Sequence, residues 1–258
     1  MSHYPKAKAL DTHKRQVQEA YNFAVFACHA APHFEQLISA VEAGTNRFPK
    51  PFYFTQNQNS PAFFRTELAN FEKRLSSYAF FSVFSYFEAF VHDVVQEMID
   101  YHGGQEAMIK LAIARDKKLT DAFASLPGAK NKLKLRKFVK SKVEKYKKFS
   151  AILDEAGFRF PTERFSSYGI RMLVERHKNL KSVQIPTFLN EALHMTLDKK
   201  DVDLFQTLRD KRNKLAHGKS TTMNMKELGR ANDLFRRWTF AINTHILDNF
   251  FVIEQYAI

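Results

Sequence analysis

From Leu208 to Gly218 the chain reads Leu-Arg-Asp-Lys-Arg-Asn-Lys-Leu-Ala-His-Gly, which crowds Arg209, Lys211, Arg212, Lys214, Asn213 and His217 together. These side-chain types suit metal-free cleavage of RNA. That reaction needs a base for the ribose 2′-hydroxyl proton, an acid for the departing 5′-oxygen, and a cation for the charge building on phosphorus. His217 fits the proton work, because an unperturbed imidazole titrates at about 6.5. Arg212 fits the phosphate, because its planar fork donates two hydrogen bonds at once. Arg209 is a candidate for support.

Spacing adds a constraint. At about 100° per residue, Asn213 and His217 share one side of a helix, while the Cα of Arg212 is swung about 140° from that of His217. For both to meet one phosphate, the helix must loosen near Gly218, the Arg212 side chain must curl round, or a second chain must supply one of them. One histidine cannot act as base and acid in the same step. Two chains facing each other across a symmetry axis would supply two histidines and two arginines, so a homodimer with a composite site is expected. The plainer reading of the same residues is a helix C-terminus, where cations complement the dipole and a glycine closes the last turn.

The elements that must position this segment read as helices. Over 10–43, Val17, Ala20, Tyr21, Ala24, Ala27 and Cys28 recur at helical spacing; Pro32 is expected to kink or split the helix before Leu37, Ile38 and Val41 resume the stripe. Gly44 to Pro61, with Pro49 and Pro51, reads as a loop. Over 62–101, Phe80, Phe84, Phe87, Val91, Val94 and Met98 mark one face of a long helix that Gly103-Gly104 ends. Ser85, Glu88 and His92 form a second, polar stripe bordering either a site or plain solvent. Residues 105–125 read as a further helix, and 151–186 as short helices broken at Gly157, Pro161 and Pro186. The motif closes a helix from about Asp201 to His217, with Asp201 or Asp203 as its N-cap. A last helix from about Met225 to Val252 packs through Leu228, Phe235, Trp238, Ile242 and Phe250, with Phe240 also expected in the core. The short Lys219–Asn224 link makes these two helices antiparallel neighbours.

Composition narrows the class. The 258 residues carry 26 Phe and 9 Tyr, enough aromatic material for a packed core, and only 8 Gly and 8 Pro, too few for a turn-rich all-β fold. The net charge of +13 calls for an anionic partner, RNA or DNA before an acidic lipid surface. Most of it sits in one stretch, where Lys130, Lys132, Lys134, Arg136, Lys137, Lys140, Lys142, Lys145, Lys147 and Lys148 face a single acid, Glu144. Leu135, Phe138, Val139, Val143, Tyr146 and Phe149 run through it as an apolar seam. An amphipathic helix with a basic outer face is expected, suited to nucleic-acid backbones without reading sequence. The lone Cys28 excludes an internal disulfide and a multi-cysteine zinc site, and its apolar flanks predict a buried, inert thiol. No glycine-rich phosphate loop or zinc-protease array occurs, no long uncharged apolar run, and no signal-like N-terminus. A soluble cytoplasmic protein needing no metal or other cofactor is the expectation.

Arg212-Asn213 followed by His217-Gly218, with four residues between the arginine and the histidine, resembles the signature of the HEPN superfamily, near its RiboL-PSP-HEPN branch. The motif's place at the end of a penultimate helix, with a long aromatic helix upstream from Tyr78 to Met98, agrees. The resemblance covers roughly 62–102 and 190–253. It implies an all-α bundle in a single domain, here with an extra N-terminal helix and a basic helical insertion over 105–186. It further implies a dimer with facing motifs and metal-independent endoribonuclease activity that leaves a cyclic phosphate. Arg212 and His217 would be catalytic and Asn213 would orient them; Glu88 loosely matches an acidic position on the first helix of some members. Such proteins act as toxins or antiviral effectors beside an antitoxin or defence partner, and other members are non-catalytic modules that bind nucleic acid or protein.

Overall fold

The fold is described from a computed structural model over residues 8–49, 60–124, 167–219 and 221–250. It is all-α, with no strand among the described residues. The helices are α1 (Lys8–Glu42), α2 (Pro61–Ala69), α3 (Phe71–Tyr101), α4 (Gln105–Ala124), α5 (Ser167–Lys178), α6 (Ile185–Glu191), α7 (Lys199–Ala216) and α8 (Met225–Phe250). A 3-10 turn at Ser182–Gln184 leads into α6. The ten basic residues from Lys130 to Lys148 lie outside the described residues.

Local sequence explains most helix ends. Ser60, in extended backbone, accepts the Phe63 amide at 3.3 Å, and Pro61 brings a preset φ to the first turn of α2. Pro61 therefore opens a helix instead of closing the loop before it, and Pro186 likewise sits in the first turn of α6. The expected 62–101 helix is two helices, divided at Asn70, whose backbone (φ −100°, ψ 2°) leaves the helical region. Pro32 does not split α1, which runs unbroken for 35 residues. A proline removes one helix hydrogen bond, and the long helical stretches on both sides hold theirs. At the far end of α3, Gly103 (φ 80°) donates to Asp100 O at 3.0 Å and Gly104 to Ile99 O at 2.9 Å, closing the helix in a Schellman motif. Helix α7 starts at Lys199, earlier than expected, because the Asp198 carboxylate accepts the Lys200 amide at 2.7 Å. Asp201 and Asp203 are thus not the cap; Asp201 pairs with Arg237 at 2.6 Å.

Contacts divide the chain into two units. The first joins Thr12–Phe87 to Thr207–Phe235 and contains the motif. Its core is aromatic. Phe235 stacks on Phe87 (centroids 4.9 Å apart, planes at 16°) and meets Phe84 edge-on at 5.4 Å, while Phe80 meets Phe84 at 5.9 Å. Ala24 and Ile38 of α1, Val83 of α3 and Leu228, Ala231 and Leu234 of α8 complete it. Phe34, Phe48 and Phe64 form a satellite that packs ring against ring. Cys28 is exposed, contrary to the expectation of a buried thiol, and lines a groove of 440 Å³ with Pro32, Leu68 and Phe71. The apolar stripe of α1 turns inward through Ala24, and its apolar neighbours Phe23, Val25 and Phe26 point outward.

The second unit comprises Met1–Asp11, Glu88–Gln206 and Arg236–Ile258. Phe90, Val91, Val94, Val95 and Met98 of α3 are buried there with Leu173 of α5, Phe188 of α6 and Ile242, Ile246 and Phe250 of α8. Helix α4 packs on α5. Trp238 is core as expected and stacks on Phe205 at 5.2 Å, but Phe240 is exposed. Histidines tie elements together through main-chain carbonyls: His177 to His92 at 3.0 Å, His102 to Phe250 at 2.6 Å and His245 to Leu193 at 2.6 Å. The polar stripe of α3 thereby meets α5 at His92, whose ring lies 5.5 Å from that of His177.

Candidate functional site

The motif occupies the last turns of α7, and the sequence dictates how that helix ends. Gly218 takes φ 63°, a backbone region that glycine enters without strain. Its amide donates to Leu215 O at 3.1 Å and that of Lys219 to Lys214 O at 2.9 Å, again a Schellman motif. His217 is thereby the C-cap residue. Its amide still donates to Asn213 O at 3.1 Å, and its side chain stands exposed. The helix stays regular through Ala216, so it does not loosen ahead of Gly218 to swing His217 toward Arg212.

Arg212 is half-buried and lies over the aromatic core. Its guanidinium carbon is 5.4 Å from the Phe81 ring centroid and 5.6 Å from that of Phe84, within cation–π range. Nη1 donates to Asn213 Oδ1 at 3.2 Å. Asn213 thus accepts from Arg212 through its side chain, while its main-chain carbonyl accepts the His217 amide as in any helical turn. Ring faces and an amide oxygen both favour a cation at this place.

Two of the flanking cations, Lys211 and Arg209, are already engaged. Lys211 Nζ pairs with Glu227 Oε1 at 2.7 Å across to α8. Glu227 also accepts the Asn224 amide at 3.2 Å, while Asn224 Oδ1 accepts the Glu227 amide at 2.8 Å, so a capping box opens α8. The Lys211 hydrogen bond chiefly holds the Glu227 carboxyl below its ordinary pKa. This box is legible as Asn-x-x-Glu over 224–227, and sequence reasoning passed over it. Arg209 turns to its neighbour Asp210, with Nε 3.1 Å from Oδ1. Glu88 is half-buried on α3, in the second unit.

Two residues beside the motif also escaped the sequence reading. Tyr78 and Phe81 are exposed on α3 and continue, at three- and four-residue steps, the stripe of Ser85, Glu88 and His92. The spacing that links them to the polar stripe is the available signal.

No group of three or more acids, histidines or cysteines that could hold a metal ion occurs among the described residues. No described helix is long and apolar enough to cross a membrane. The RiboL-PSP-HEPN family model matches residues 53–247, well over half of the chain, and its span takes in 105–186 as well as the two segments that carry the motif resemblance. No curated protein and no solved structure matches the chain significantly. With a helical fold, the Arg-Asn…His motif at the end of a penultimate helix and a family match of that extent, the chain belongs to the RiboL-PSP-HEPN family.

Proposed function

We propose that the protein is a metal-independent endoribonuclease that cuts RNA by transesterification. The ribose 2′-oxygen attacks the adjacent phosphorus, the 5′-oxygen leaves with a proton, and a 2′,3′-cyclic phosphate remains on the upstream fragment. His217 moves the proton, and Arg212 stabilises the charge on the phosphoryl oxygens. Asn213 positions both, and Arg209 supports them. The observation that carries this reading is the end of α7, where an exposed imidazole stands on the cap and, just before it, a cation seated on aromatic rings donates to Asn213.

The regular helix favours a composite site. With about 140° between the Cα positions of Arg212 and His217, a second copy facing the first supplies the complementary groups and the second histidine that acid–base pairing requires. The active form in this reading is a homodimer in the cytoplasm. The basic run from Lys130 to Lys148 holds the RNA backbone, which makes binding strongly salt-dependent. The physiological role in this reading is that of a toxin or antiviral effector, kept in check by a partner protein.

Product chemistry tests the reaction. RNA incubated with the protein in EDTA should yield 2′,3′-cyclic phosphate ends, and a strand with 2′-deoxyribose at the cleavage position should stay intact there. Cleavage of the deoxy strand, or dependence on added metal, would contradict the mechanism. RNA retained but never cut would instead identify a non-catalytic binding module.

A further inference from the structure

Helix α3 presents two exposed aromatic rings beside the candidate phosphate ligand. Tyr78 is 72% exposed and Phe81 39%, whereas Phe80, Phe84 and Phe87 of the same helix are fully buried. Tyr78 and Phe81 are three residues apart and so adjoin on one face. The Arg212 guanidinium lies 5.4 Å from the Phe81 centroid. An exposed ring, and a cation seated on the ring beside it, are thus within one nucleotide's reach of each other.

We infer that Tyr78 and Phe81 form a stacking platform for an unpaired nucleobase next to the phosphate bound by Arg212, which makes single-stranded RNA the substrate. The inference rests on the role proposed above for Arg212. A nucleotide satisfies both features together, its base offering a π-face to the rings and its phosphate an anion to the guanidinium. A purely apolar partner surface would match the rings but offer the adjoining Arg212 guanidinium no anion. A net charge of +13 favours the polyanion further. Duplex RNA keeps its bases stacked inside the helix, out of the platform's reach. The rings would therefore select unpaired loops and strands over helices, without selecting a particular base.

The test uses the full chain carrying His217→Ala, which keeps RNA intact during binding, and a single-stranded RNA containing a fluorescent purine analogue. The parent should quench the analogue. Tyr78→Ala should abolish the quench and weaken single-strand binding roughly tenfold, whereas Tyr78→Phe should stay within about twofold. Duplex binding should not change with Tyr78→Ala. Because Phe81 also seats Arg212, Phe81→Leu is the companion variant, and it should lose the quench as well. Unchanged quench and affinity in both variants would overturn the proposal. So would a shift of Tyr78→Ala from dimer to monomer in sedimentation with the quench intact, which would show the rings holding a second copy. The two readings fail separately. Cleavage by the wild type with Tyr78-independent binding sinks the platform alone, and a Tyr78-dependent quench without any cleavage sinks the nuclease alone.

Discussion

Arg212 lies against the faces of Phe81 and Phe84 and donates to the Asn213 side-chain oxygen. That arrangement uses the breadth of a guanidinium, and a lysine ammonium would present a single point charge there. Arg212→Lys should therefore cut the cleavage rate by about a hundredfold, the scale seen when one transition-state donor is lost, while circular dichroism and melting stay close to wild type. Cleavage within a few-fold of wild type would mean that any cation suffices, and the fork geometry would be irrelevant. At this scale the sequence was readable where chemistry and spacing coincide: Arg212, Asn213 and His217 fall where a helix end must put them. It misled where a residue type points to core but the helix turns it outward. Phe240 is aromatic and exposed, and Cys28 sits at the edge of the α1 stripe, just past the buried centre at Ala24.

At the scale of elements, the site depends on one junction, the cap of α7 and the box that opens α8. Gly218 fixes where the helix stops and hence where the His217 side chain emerges. Gly218→Ala meets no steric neighbour, yet an alanine at φ 63° is strained by about 1 kcal/mol. The urea midpoint should fall modestly, and cleavage should fall further than stability does, because the cap carries the imidazole. Equal stability with full cleavage would show that the cap does not position His217. Helix identities were legible from apolar periodicity, and Gly103 and Gly218 announced their helix ends. Starts and breaks were less so. Asp198, Asp201 and Asp203 are all competent caps by type, and Asp198 takes the role by accepting the Lys200 amide, which leaves Asp201 inside the helix to pair with Arg237. The break at Asn70 carries neither glycine nor proline to announce it.

For the molecule as a whole, two buried histidines link stability to pH, one in each unit. His13 bonds to Tyr86 O and His177 to His92 O, and burial pulls both pKa values below the ordinary 6.5. The unfolded chain therefore takes up protons first. Stability should be full above pH about 6.5 and should decline as pH falls toward the lowered folded values. Denaturant midpoints across that window check this, and a His13→Gln, His177→Gln double variant should show a weaker dependence. A flat wild-type profile would contradict it. The long-range carbonyl contacts of these rings were beyond sequence reasoning, since nothing local marks which carbonyl a histidine will find. The net charge, by contrast, was legible at once and directs the whole account toward RNA. The most direct test of that account is the single-turnover cleavage rate of an unstructured RNA in EDTA by the wild type and by His217→Ala. The account predicts cleavage that survives chelation and drops by about a thousandfold, on the scale of acid–base catalysis, when the imidazole is removed. Equal rates for the two proteins, or no cleavage by the wild type at any enzyme excess, would contradict it.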